Sequence, residues 1–150
     1  MKDNNNLLTH NQWSAGEYTK NISELTCFTG FDVMVTNEYS IIGEHSFKCE
    51  RINENNHWAQ STVLGEYTNV QGKSIIYTPL GRSSLYIVFY YSDGSFSTGG
   101  VTVSRSDEPQ LITLNLQSDP DKEVTSVALR ILIYAINQPC YWDDLSLISL

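Results

Sequence analysis

Two acids stand side by side near the end of the chain, in the stretch YWDDLSL at 141–147. The stretch alternates like a β-strand. Tyr141, Asp143, Leu145 and Leu147 share one face, and Trp142, Asp144, Ser146 and Ile148 share the other. Asp143 is therefore expected on the apolar face. Strands disfavour Asp, and a carboxylate turned inward is costly unless something satisfies it. The other reactive groups fit no catalytic device. His10, His45 and His57 have no HExxH spacing, and the serines have no G-x-S-x-G turn. Asp107-Glu108, beside Pro109, reads as a solvated turn. Carboxylates for glycoside hydrolysis are defined by separation in space, which a sequence does not display. A chain of 150 residues with no deep-cleft insertion is nevertheless a poor hydrolase, and no enzymatic activity is expected.

Other residues could bind rather than react. In SLYIVFYYS (84–92), Leu85, Ile87, Phe89 and Tyr91 form the apolar set, which leaves Tyr86, Val88 and Tyr90 outward. In VALRILIYAI (127–136), Val127, Leu129, Ile131, Ile133 and Ala135 face in, and Arg130, Leu132, Tyr134 and Ile136 face out. In HWAQSTVL (57–64), inward packing of Ala59, Ser61 and Val63 exposes Trp58, Gln60 and Thr62 together. Each tyrosine has a plainer reading, since Tyr is a good strand residue and packs on cross-strand neighbours. Trp58 stands between core and platform. Trp13 is counted as core, Trp142 is outward by phase but beside the terminus, where either side is open to it, and Tyr77 in SIIYTP is ambiguous.

The elements that must position these residues are strands. Nine candidates show period-two patterning: 31–36, 45–52, 57–64, 73–79, 84–92, 100–104, 111–117, 127–136 and 141–150. Turn chemistry separates them in NENN (53–56), PLGR (79–82), SDGS (92–95), SDPD (118–121) and NQP (137–139). Asp93-Gly94 between alternating runs marks a hairpin. DKEVTSVAL is the only helical candidate, and Val124, Thr125 and Val127 favour strand. About nine or ten short strands without helices imply an all-β antiparallel sandwich.

The totals bound the rest. At 150 residues and 41% hydrophobic, the chain is one globular domain, long enough to bury roughly 70% of its unfolded surface. Nine basic against 17 acidic residues give −8, with no basic cluster, so nucleic acid is not an expected partner. Highly anionic ligands are disfavoured by the same balance. Cys27, Cys49 and Cys140 show no CxxC spacing and allow at most one disulfide. No apolar run suits a signal peptide or a membrane helix. Residues 1–5 read as a linker remnant and 6–150 as the domain, one module of a longer chain.

The ends of the chain then carry a resemblance. YWDDLSL is similar to the closing strand of jelly-roll carbohydrate-binding modules of families four, nine and twenty-two, which reads aromatic, any, Asp, Asp, aliphatic, Ser, Leu. Asn6-Leu7-Leu8, a polar stretch and Trp13-Ser14 resemble the opening of those modules. GEHSFKCER (43–51) resembles a third segment. The resemblance implies a jelly roll that binds polysaccharide or glycan without chemistry. It also implies a structural calcium at Asp143, although Ser14 stands where the family has a Glu, and Glu17 or Glu44 would have to substitute. An aspartate that caps backbone amides is the alternative. The expected glycan face comprises Trp58, Gln60, Tyr86, Tyr90, Arg130 and Tyr134. The expected setting is an extracellular or cell- or virion-surface protein, with no membrane insertion. Rival readings are a phage-tail or cell-surface adhesion module recognising wall polysaccharide, a ligand-free spacer, and a small sandwich enzyme such as a polysaccharide lyase.

Overall fold

The structure is a computed structural model that describes residues 5–8, 14–22, 25, 28–30, 33–50, 57–134 and 136–150. Trp13, His10, Cys27, Ala135 and the 53–56 turn lie outside the described residues. Ten strands are described: β1 (Thr29–Gly30), β2 (Met34–Thr36), β3 (Ser46–Glu50), β4 (Trp58–Leu64), β5 (Asn69–Tyr77), β6 (Ser83–Tyr91), β7 (Phe96–Val103), β8 (Gln110–Gln117), β9 (Val124–Ile133) and β10 (Pro139–Ser149). They form two five-stranded antiparallel sheets, ordered β1-β4-β9-β6-β7 and β2-β3-β10-β5-β8. One short 3-10 turn, Ala15–Glu17, is the helical piece among the described residues. The fold is an all-β jelly-roll sandwich, and DKEVTSVAL opens β9, as its β-branched residues dictate. β1, of two residues, is too short to leave a periodic trace in sequence.

The core lies between the sheets and follows from alternation. Leu85, Ile87 and Phe89 of β6 lie opposite Ile131, Leu129 and Val127 of β9 along one ladder, all essentially inaccessible. From the other sheet come Phe47, Ile76, Trp142, Leu145 and Leu147. Phe47 and Trp142 lie 6.1 Å apart, and Phe28 sits edge-on to both, at 5.2 Å and 6.1 Å. The β6–β7 hairpin turns at Asp93-Gly94, with Gly94 at φ 86, a backbone that glycine adopts without strain.

The closing strand departs from simple alternation. Its pairing with β5 runs Asp143 opposite Ile75 and then Ser146 opposite Lys73, so one extra residue is inserted. Asp144 absorbs it at φ 54, as a β-bulge requires. Before the bulge Cys140 and Trp142 face the core, and after it Leu145 and Leu147 do. The expected single face through Tyr141, Asp143, Leu145 and Leu147 is thereby corrected. Trp142, outward by uninterrupted phase, is fully buried. Tyr141 lies across from Lys48 and Tyr77 on the outer side, tilted against Tyr39 and Tyr77. At the other end of the chain, Asn6 bridges to Ile148 and the Leu7 amide donates to the Leu147 carbonyl at 2.8 Å. Among the described residues no helix is long and apolar enough to cross a membrane.

Candidate functional site

The six expected residues gather on the outer face of the β1-β4-β9-β6-β7 sheet. Register places Thr29, Gln60, Arg130, Tyr86 and Gly100 in one row across five strands. The next row reads Trp58, Leu132, Ser84 and Thr102. On the opposite side of the first row come Thr62, Ala128, Val88 and Thr98, then Leu64, Ser126, Tyr90 and Phe96. Tyr134 follows β9, beside the Arg82 carbonyl.

Side chains on this face fix one another. The Arg130 guanidinium stacks on the Trp58 indole, 4.1 Å from its centroid. Its Nε donates to Gln60 Oε1 at 2.8 Å, and an Nη reaches the Tyr90 hydroxyl at 3.4 Å. Gln60 Nε2 donates to the same hydroxyl at 2.8 Å and to Thr62 at 3.1 Å. Tyr90 thus leans across the row of Val88 and Ala128, and both are fully buried. Val88, expected to be exposed, is covered for this reason. Gln60, also expected in the open beside Trp58, is only 5% exposed, because Arg130 and Tyr90 hold its amide from both ends. Trp58, Tyr86, Tyr90, Arg130 and Tyr134 are half-buried.

The second part of the face centres on Tyr86. A Cβ added to Gly100, its partner in the register, would fall 1.7 Å from Tyr86 Cδ1 and 1.8 Å from Cε1. The ring therefore lies flat on the β7 backbone and presents its opposite face outward. Sequence patterning read Gly100 only as the start of a strand. Tyr134 closes this end: its hydroxyl is 2.7 Å from Ser84 Oγ, and the Arg82 guanidinium lies 4.5 Å above its ring. The Ser84 bond holds the Tyr134 phenol below its usual range, while the hydrogen bond to Tyr134, and then burial, push Tyr86 up. Arg82 and Ser84, missed in sequence because they fall at the strand's beginning, belong to this group.

Asp143 lies elsewhere, on the other sheet. It is 2% exposed, and its Oδ1 accepts the backbone N–H groups of Ala15 at 2.9 Å and Asp144 at 2.8 Å. Burial raises its carboxyl to about 6, partly offset by these two hydrogen bonds. Calcium prefers six to eight oxygen ligands, several of them carboxylates. Among the described residues no three acidic, histidine or cysteine side chains come together, and both Glu17 and Glu44 are exposed. The described residues thus supply a single carboxylate at this point and do not by themselves make a calcium set.

No family model and no curated protein matches the sequence. Solved structures match its fold at low identity. The enzymatically active domain of tailspike protein 4 of bacteriophage CBA120 superposes with a TM-score of 0.68 at 12% identity, over 97% of this chain and 22% of that one. The chain thus spans about a fifth of that structure. The CBM22-1 xylan-binding domain of Paenibacillus barcinonensis Xyn10C matches with a TM-score of 0.63 at 13% identity, covering 85% of this chain and 88% of that one. TmCBM61, solved with β-1,4-galactotriose, matches with a TM-score of 0.63 at 13% identity, over 97% and 99% of the two chains. The chain has the β-sandwich fold of carbohydrate-binding modules.

Proposed function

We propose that the chain is a non-catalytic glycan-binding domain whose ligand lies across the outer face of the β1-β4-β9-β6-β7 sheet. The observation that carries this reading is the Trp58–Arg130–Gln60–Tyr90 network beside the flat Tyr86 ring. Sugar rings present C–H faces that stack on aromatic rings and hydroxyls that need donors and acceptors in fixed places. Here the donors and acceptors are already oriented by one another, so little ordering cost remains at binding. The matched xylan-binding and galactotriose-bound modules, of the same fold, support the ligand class.

The experiment is a glycan array followed by calorimetry on the glycan found. Tyr86→Ala and Tyr90→Ala should each weaken affinity roughly tenfold or more, as loss of a stacking surface or a buried pairing implies. Binding to no glycan, or unchanged affinity in both variants, overturns the reading. The matched tailspike domain favours a setting on a virion or cell surface, where the domain would be one part of a longer chain that adheres to wall polysaccharide. Asp143 is proposed as a backbone anchor that ties the Ala15 turn to the closing strand, rather than as a calcium ligand.

A further inference from the structure

The charge on this face differs from that of the protein. The chain carries 17 acidic and 9 basic residues. On the outer face of the β2-β3-β10-β5-β8 sheet the two signs meet: Lys48 Nζ lies 2.9 Å from Glu38, and Glu50 is exposed nearby on the same strand. The described strand positions of the candidate face, from Trp58 to Leu64 on β4, Ser84 to Tyr90 on β6, Phe96 to Thr102 on β7 and Ser126 to Leu132 on β9, hold no outward acid at all. The charged groups there are Arg130 and, at the edge, Arg82. Among the described residues neither has a carboxylate partner. Both instead lie on aromatic rings, Arg130 on Trp58 and Arg82 on Tyr134.

We propose that the glycan taken by this face is acidic, with sugar carboxylates received by Arg130 and Arg82 on either side of the Tyr86 platform. The proposal rests on the face being the glycan site, and it adds the class of sugar. An arginine is charged at every accessible pH, and its planar fork matches a carboxylate with two parallel hydrogen bonds. Arg130 is half-withdrawn from water, and a cation so placed gains most from an anion that arrives with the ligand. Register puts Tyr86 opposite Arg130, and Arg82 immediately precedes β6, four residues before Tyr86, so the backbone positions that carry the two arginines are roughly 13 Å apart along the strand direction. That separation suits a polymer with a repeating carboxylate better than a single acidic sugar. The net charge of −8, which by itself disfavours anionic ligands, is a sum over the whole chain, and no acid falls on the described strand positions of this face.

The test uses matched pairs of oligosaccharides: hexamers of galacturonate, mannuronate and guluronate, each beside its carboxyl-reduced neutral counterpart, with xylohexaose added. Affinities are read by calorimetry at about 0.01 M and about 1 M salt, where charges are screened beyond roughly 30 Å and 3 Å respectively. The expected result is that at least one acidic hexamer binds tenfold or more tighter than its neutral counterpart and loses that margin at high salt. Arg130→Gln and Arg82→Gln should each remove most of the margin, and Arg130→Lys should restore only part of it. Arg82 is exposed, so its variant keeps the test valid should Arg130→Gln fail to fold. If a neutral sugar binds as well as or better than every acidic one, the acidic class is overturned and the glycan site stands. If no hexamer of either kind binds and the array yields a neutral glycan, the acidic class alone is overturned; if the array is blank as well, both are overturned.

Discussion

Replacing Asp143 by asparagine separates the anchor from a metal ligand through the sign of a pH effect. Burial raises this carboxyl from the ordinary 3.8 to about 6. Between those values the folded state holds a proton that the unfolded state has released. Stability contributed by this group therefore falls as pH rises through the window from 3.8 to about 6. Two units correspond to about 3 kcal/mol, an upper figure. Asparagine keeps the carbonyl oxygen that accepts the Ala15 and Asp144 amides and cannot ionise. Asp143→Asn should thus match the wild type near pH 3.5 and exceed it by as much as about 3 kcal/mol near pH 7. The assay is urea unfolding of both proteins from pH 3.5 to 8, with and without a chelator. Taking the difference between the two proteins removes the titration of every other carboxylate. A wild type that gains on the variant as pH rises, and loses that gain on chelation, would refute the argument, because a bound dication holds the carboxylate ionised and stabilises the native state by mass action.

Other expectations follow from particular contacts. Asp143→Ala leaves two buried amide donors without an acceptor, at about 1–3 kcal/mol each, and should lower the melting temperature more than Asp144→Gly, which relieves the left-handed backbone at φ 54. Trp142→Ala should cost about 3–5 kcal/mol, whereas Trp58→Ala on the outer face should leave denaturant midpoints within about 1 kcal/mol and act on glycan affinity. Gly100→Ala must displace the Tyr86 ring; calorimetry should show the affinity loss of Tyr86→Ala, and the double variant should lose nothing further. Cys49 and Cys140, opposed across β3 and β10 and fully buried, should react with a thiol reagent only on unfolding, since burial pushes Cys140 to about 12 and Cys49 well up.

Alternation made β6 and β9 legible because their two faces differ sharply: Leu85, Ile87 and Phe89 against Tyr86 and Tyr90, and Leu129 and Ile131 against Arg130. The rows of the site follow from those phases. What alternation does not convey is an insertion. Asp144 changes the phase of β10 in one residue, and nothing in DDLSL distinguishes a bulged strand from a regular one, so phase alone leaves the side of Trp142 open. Nor does phase convey what lies over an outward residue. Gln60 and Val88 point to the expected face, yet Arg130 and Tyr90 cover them. The platform under Tyr86 depends on a glycine on the next strand, at 100. The charge of the face is also local: a sum over 150 residues does not say that one face holds two arginines and no outward acid among its described strand positions.

On the proposed reading the glycan lies on the Trp58–Tyr86–Arg130 face. The most direct measurement is a titration of the isotope-labelled protein with the glycan identified on the array, following backbone amides, the Trp58 indole N–H and the Arg130 Nε–H by NMR. Saturable shifts are expected at Trp58, Gln60, Arg130, Tyr86 and Tyr90, with Lys48, Tyr77 and Tyr141 on the opposite sheet unchanged. Shifts confined to the 136–139 turn or to that opposite sheet, with Trp58 and Arg130 unmoved at saturation, would contradict that reading.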